Sequence, residues 1–142
     1  IKMKYFIHPT SILDKNIKIG SNTKIWHWCH LSKDVVIGKN CTFGQNIFIG
    51  EGVKIGNNVK IQNNVSIFKG VIIENDVFIG PSVVFTNVII PRSFINQKKN
   101  FKKTIIKKGS TIGANSTIIC GNNIGKYSFV GAGSLLTKSM EI

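Results

Sequence analysis

The stretch Ile55-Gly56-Asn57-Asn58-Val59-Lys60-Ile61-Gln62-Asn63-Asn64-Val65-Ser66-Ile67 decides the fold. Isoleucine leads each hexad, at 55, 61 and 67. Four residues after a leader stands Val59 or Val65, and three residues after it Asn58 or Asn64. On an α-helix each leader would be turned by about 240° from the last, so the isoleucines would be smeared round the cylinder. Extended chain alternates its side chains with a period of two, and six is even. All the leaders then share one face, and the valines share it with them. Asparagine accepts left-handed backbone more readily than most residues with a Cβ. Asn58 and Asn64 therefore read as tight corners between short strands.

The same beat runs outward in both directions. Leaders fall at every sixth position from Ile7 to Phe85 and again from Ile106 to Leu136, and all twenty are Ile, Leu, Val or Phe. The residue four after the leader is Val, Ile, Thr, Ser or Cys in eighteen of the twenty, which makes it a second, smaller core position. The residue three after it is Asn, Gly or Asp in fourteen, and Gly directly follows the leader nine times. One segment fits no repeat: Pro91–Ile105, a lysine-rich insertion of fifteen residues. A regular frame with one irregular loop marks a scaffold that carries a site.

The pattern resembles the hexapeptide-repeat, left-handed parallel β-helix. The resemblance implies three hexads per triangular coil, hence an all-β fold of six to seven coils, on the order of 30 Å tall. It also implies a single domain over residues 1–142, with the loop 91–105 projecting from the fifth coil between its second and third faces. Proteins of this architecture are commonly trimers, so a homotrimer with sites between subunits is expected.

Composition narrows the partners. The formal net charge is +13, which favours an anionic ligand. The basic residues are scattered along the repeats, without the interleaved aromatic pattern of a single-strand binder. Nucleic acid is therefore not expected. No apolar run is long enough to span a membrane, and the first ten residues do not read as a signal peptide. Cys29, Cys41 and Cys120 are odd in number and lack metal spacing; Cys29 and Cys41 fall on inward positions. They read as reduced thiols of a cytoplasmic protein. Ile1 and Lys2, ahead of Met3, read as a remnant outside the natural start.

The histidines, His8, His27 and His30, are all early. No carboxylate stands beside His27 and His30 in the chain, so no metal is expected. Ile25-Trp26-His27-Trp28-Cys29-His30 is aromatic-rich and reads as packing between subunits, with a ligand groove as the second reading. With no histidine after residue 30, a site near the loop has no imidazole base of its own. Many hexapeptide acyltransferases, which the repeat resembles, use a histidine base. Either a neighbouring subunit's histidine reaches such a site, or the acceptor is an amine of near-neutral pKa that attacks a thioester with little help, which points to an amino sugar rather than an alcohol.

Several stretches carry a closer resemblance: Gly44-Gln45-Asn46-Ile47-Phe48-Ile49, Val59-Lys60-Ile61-Gln62-Asn63-Asn64-Val65-Ser66, Gly80-Pro81-Ser82-Val83-Val84-Phe85-Thr86-Asn87-Val88 and Pro91-Arg92. Ile112-Gly113-Ala114-Asn115, Cys120-Gly121 and Phe129-Val130-Gly131-Ala132-Gly133 follow in order. Together with Ile25-Trp26-His27-Trp28 they are similar to nucleotide-sugar N-acetyltransferases of the hexapeptide-repeat class. The resemblance implies acetyl-CoA as co-substrate, no metal, and a nucleotide-linked 3-amino sugar as acceptor. On the Gly-Gln-Asn stretch it favours UDP-2-acetamido-3-amino-2,3-dideoxy-glucuronate enzymes of O-antigen synthesis. The sister group acting on dTDP-3-amino-6-deoxyhexoses shares the Phe-Thr-Asn and Pro-Arg signatures.

Carried over residue by residue, the resemblance implies that Asn87 holds the acceptor amine, orienting it rather than acting as a base. It implies that Gln45, Asn63, Phe85, Thr86 and Arg92 bind the acceptor. Arg92 suits a phosphate or a carboxylate. The family commonly has Tyr-Asn before Pro-Arg; Ile89-Ile90 stands there instead, which puts the sugar in question. Gly113, Ala114, Gly131 and Ala132, one coil apart, imply a strip for the pantetheine arm, with Lys138 beyond it. Family members usually continue past the closing Lys138-Ser139-Met140-Glu141-Ile142 through a further CoA-binding segment. The competing expectations are thus a truncated, non-catalytic trimer that still binds nucleotide sugar and, less fitting, a surface-binding β-helix. The latter needs flat threonine arrays, and the outward positions here are mixed.

Overall fold

A computed structural model describes residues 4–140. The readings of Ile1 and Lys2, and of the closing Glu141-Ile142, lie outside the described residues. Among the described residues there are nineteen strands of two or three residues, all pairing in parallel, and no helix. They stack into three sheets, the faces of a β-solenoid of about seven turns, as a left-handed β-helix requires.

The first sheet runs from Phe6–Ile7 to Phe129–Val130 and the second from Ile12–Leu13 to Leu135–Leu136, seven strands each. The third has five strands, Lys18–Ile19 to Thr104–Ile106, and is continued by single bridges from Ile106 to Ile124 and from Ile124 to Met140. Leaders pair with leaders, as Ile7 with Ile25 and Ile61 with Ile79. The core is the column of leaders interleaved with the smaller residues. Ile25, Leu31, Phe43, Ile49, Ile61, Ile67, Phe85 and Ile118 are 0–1% exposed, and so are Val35, Val59 and Val65. Cys29, Cys41 and Cys120 are buried free thiols. Burial pushes the Cys29 and Cys41 thiols up from the ordinary value, although the backbone of Ile47 and Val59, and then the hydroxyls of Ser11 and Thr23, partly offset it.

Corners form as the residue pattern dictates. Among the described residues, twelve non-glycine residues and five glycines have positive φ, and every one stands three residues after a leader. The column is held from coil to coil by side chains. Asn22 donates to Asn40, Asn46 to Asn64 and Asn58 to Asp76, at 2.8–3.1 Å.

The insertion leaves the stack intact. Ile79 pairs with Ile112 and Phe85 with Ile118, thirty-three positions apart instead of eighteen. Its limits differ from Pro91–Ile105. Thr104 and Ile105 are already strand, paired with Val71 and Ile72, so the excursion occupies 86–103. Thr104 takes the small inward position that Val71 fills one coil earlier, and a threonine there is as buried as the valine.

Candidate functional site

The excursion starts because one corner does not turn. Val88 stands where the pattern asks for a left-handed residue, and it has no positive φ. A β-branched side chain resists that conformation, and the fifteen extra residues run outward from here; at Thr10, also without positive φ, the coil continues. It returns when Lys102 N–H donates to the Asn87 carbonyl at 3.1 Å and Thr104 N–H to Gly70 at 3.1 Å. Within the loop, Ile95 N–H donates to Arg92 and Asn100 N–H to Gln97.

Under this loop lies a cleft of about 590 Å³ lined by Thr86, Asn87, Val88, Ile89, Pro91 and Arg92, closed by Ser93, Ile95, Gln97 and Ile119. That is within the range of small-molecule sites. Asn87 is half-buried, and its side-chain amide has no partner among the described residues. Arg92 is exposed at the cleft's rim and donates only to the Pro91 carbonyl, at 3.2 Å. The Thr86 hydroxyl accepts from Cys120 N–H at 2.9 Å, which pins the start of the loop to the next coil. Phe85 is 1% exposed. Its ring belongs to the core and is not among the residues that line the cleft.

The remaining candidates lie elsewhere. Gln45, Asn63, Gly113, Ala114, Gly131 and Ala132 all stand one or two residues after leaders of the first sheet, at the corner between the first and second sheets. Asn87 and Lys138 stand two residues after leaders of the second sheet, at the next corner. A whole face, the second sheet, separates the two groups. At the first corner the coils approach closely: a Cβ on Gly80 would sit 2.7 Å from Ala114 N, and one on Gly113 2.5 Å from Ala132 N. Asn63 is occupied structurally, its side-chain oxygen accepting from Gln45 N–H at 2.8 Å. Asn57 does the same for Lys39, at 2.8 Å. Gln45 is exposed, and its own amide has no partner among the described residues.

Two features differ from the sequence reading. His30 does have a carboxylate neighbour: its Nε2 lies 3.2 Å from Asp14 Oδ2. The pair is sixteen residues apart, out of step with the coil, which hid it. The apolar wall of the cleft, Ile89, Ile95 and Ile119, was also missed. Ile119 directly follows a leader, a place where glycine recurs, and that was the available signal. Among the described residues no three His, Cys, Asp or Glu side chains gather as a metal set.

Comparison with known proteins agrees with this architecture. Residues 16–46 match the bacterial transferase hexapeptide model, and residues 34–69 and 103–138 match the hexapeptide repeat of succinyl-transferase. The chain is 50% identical over 135 residues to dTDP-3-amino-3,6-dideoxy-alpha-D-galactopyranose 3-N-acetyltransferase of Aneurinibacillus thermoaerophilus, covering 95% of this chain and 69% of that protein. Two solved structures share the fold at low identity. One is a mutant GDP-perosamine N-acetyltransferase from Caulobacter crescentus in complex with CoA and GDP-perosamine. It has TM-score 0.61 and 14% identity, and the match covers 95% of this chain and 49% of that one. The other is a mutant of AntD, an N-acyltransferase from Bacillus cereus, in complex with dTDP and coenzyme A. It has TM-score 0.53 and 23% identity, with 96% and 74% covered. The chain belongs to the bacterial hexapeptide-repeat transferases and is an acetyltransferase of their nucleotide-amino-sugar N-acetyltransferase group.

Proposed function

We propose that the protein transfers acetyl from acetyl-CoA to the 3-amino group of a dTDP-linked 3-amino-6-deoxyhexose. The carrying observation is the cleft, where an unpartnered Asn87 amide faces a wall of Ile89, Pro91, Ile95 and Ile119. An apolar wall suits the methyl group of a 6-deoxy sugar. A glucuronate carboxylate there would have the exposed Arg92 as the one cation in the lining. The 50% identical relative, named for a dTDP-3-amino-3,6-dideoxy sugar, supports the same choice over the UDP-glucuronate type. A role in surface-glycan synthesis follows from that substrate class.

The chemistry needs placement more than acid–base help. The neutral amine attacks the thioester carbonyl, a C–N bond forms and the C–S bond breaks. The departing thiolate takes the proton, directly or through water. Asn87 holds the amine by donating to and accepting from it. His8 stands four coils and His27 three coils from the coil of Asn87, about 19 Å and about 14 Å along the axis at the spacing of adjacent strands. They are too far to serve as the base.

The site is completed between copies. The pantetheine strip, Gly113-Ala114 and Gly131-Ala132, and the Asn87 cleft lie at opposite edges of the second sheet. Threefold packing brings the first corner of one subunit to the second corner of the next. The outward row of the second sheet supports this, because Ile12, His30, Phe48, Ser66, Val84, Thr117 and Leu135 include no lysine. The first sheet carries Lys24 and Lys60 outward, and the third carries Lys18 and Lys54. Loop residue Phe94, 81% exposed in one chain, has an apolar ring to bury on a neighbour.

The test is thiol release from acetyl-CoA with the dTDP-3-amino-6-deoxyhexose and UDP-3-amino-glucuronate acceptors side by side. Turnover with the dTDP acceptor, lost in Asn87→Ala, is expected. Turnover with the UDP acceptor alone overturns the sugar assignment, and turnover with neither overturns the reading for this chain.

A further inference from the structure

At the amino-terminal end of the first corner stands a cluster that acetyl transfer does not use. The Phe6 and Trp26 rings lie 5.2 Å apart, and the His8 and His27 rings stack at 3.6 Å with 28° between planes. Trp26 is nearly parallel to His27, at 12° and 6.4 Å. Thr10 braces the step: its hydroxyl is 2.9 Å from His8 Nδ1 and accepts from Trp28 N–H at 2.9 Å. Trp26 is 39% and Trp28 62% exposed.

Trp28 is the costly member. It occupies a corner position with φ of 60°, where the other coils prefer Asn, Asp or Gly. An indole there costs about 1–2 kcal/mol relative to a residue suited to the left-handed region. A tryptophan repays such strain chiefly by burying its ring, and this one is mostly in solvent. One coil on, Gly44 replaces Trp26 and Gln45 replaces His27, so no aromatic ring continues the row and the exposed Gln45, its amide without a partner among the described residues, follows His27.

We infer that this aromatic step binds the pyrimidine base of the nucleotide sugar. The base stacks on Trp28 or Trp26, and the Gln45 amide meets its donor–acceptor edge. The inference rests on the proposed function and deepens it. Distance selects the occupant: the step lies three coils, about 14 Å, below the coil of Asn87. An extended nucleoside diphosphate sugar spans such a gap, its amino sugar at the Asn87 of a neighbouring copy and its base at the step. The adenine of CoA has no such constraint, since the pantetheine strip runs from coil six towards the other end.

The experiment uses the full chain and two probes lacking sugar, dTDP and UDP, measured by calorimetry. Binding of dTDP to the wild type, weakened about tenfold by Trp28→Asn, is the expected result, the loss of roughly one aromatic–base stack. Asparagine suits the corner, so this variant should melt no lower than the wild type, which separates lost binding from lost folding. Trp26→Ala and Gln45→Ala should each weaken dTDP, Trp28→Phe should largely restore it, and CoA affinity should not move. In turnover, KM for the nucleotide sugar should rise by a larger factor than kcat falls. Unaltered dTDP affinity in Trp28→Asn, Trp26→Ala and Gln45→Ala overturns the inference while leaving acetyl transfer standing. A changed assembly state with unaltered dTDP affinity assigns the step to subunit packing and overturns it equally. No binding of either nucleotide by the wild type, with no turnover, overturns the proposed function as well.

Discussion

The corner after the first sheet and the corner after the second are written in the same six-residue grammar and behave differently. At the first, the chain turns through Trp28, Asn46, Asn64, Ser82, Asn115 and Gly133, all with positive φ. The coils close so tightly that Gly44, Gly80 and Gly113 admit no Cβ, as Gly50 does not at the second corner. At the second it turns at Asn16, Asp34, Gly52, Gly70 and Gly121, but not at Val88. There the fifteen inserted residues replace the turn, and residues 86–103 open a cleft. The tight corner offers backbone and small side chains; the broken one offers an unpartnered amide, an arginine and an apolar wall.

That contrast can be broken from either side. At the broken corner, Asn87→Ala should lower acetyl transfer about 100-fold, the order expected when a reacting group is misplaced. Its side chain has no partner to lose, so the melting temperature should hold, with stability changed by less than about 0.5 kcal/mol. A joint loss of activity and stability would make Asn87 a structural residue. At the tight corner, Gly113→Ala should do the reverse. Its Cβ would meet Ala132 N at 2.5 Å, so the coils must part, at about 1–3 kcal/mol by denaturant titration. An unchanged midpoint would contradict the close approach.

Smaller effects sharpen the same picture. Asn64→Ala puts a poor left-handed residue at φ 63° and should cost about 1–2 kcal/mol. An equal change in Asn96, a loop residue without that backbone, should cost less. The thiols give the weakest signal. Cys29 and Cys41 are raised by burial above 9.0, so the folded chain keeps those protons when the unfolded chain loses them. Their contribution is therefore fully present below pH 9.0 and declines as pH rises through the folded values. Replacing both by serine should flatten that alkaline decline, and native protein at pH 8 should react slowly with thiol reagents.

Much of this was legible in the residues because a period of six leaves few choices. Ile55, Ile61 and Ile67 could share a face only in extended chain, and Asn58 and Asn64 could only be corners. The surplus of fifteen residues was readable from the resumed beat at Ile106, but not its limits, because Thr104 is a polar residue in an inward role. The site was half legible. Asn87, Thr86 and Arg92 do line one cleft, whereas Gln45, Asn63 and the Gly-Ala pairs lie a face away. Spacing says which corner a residue occupies but not which corner of another copy it meets. The Asp14–His30 pair and the wall residue Ile119 follow no repeat rule, so only three-dimensional placement reveals them.

The most direct test mixes two disabled chains. Asn87→Ala removes the amine holder at the second corner, and Ala114→Arg blocks the strip at the first. Each alone should be inactive. Co-assembled with different tags and purified as mixed oligomers, they should regain acetyl transfer, because one interface then joins an intact strip from one copy to an intact Asn87 cleft from the other. Mixed oligomers that form and remain inactive would contradict a site shared between the two corners of neighbouring subunits.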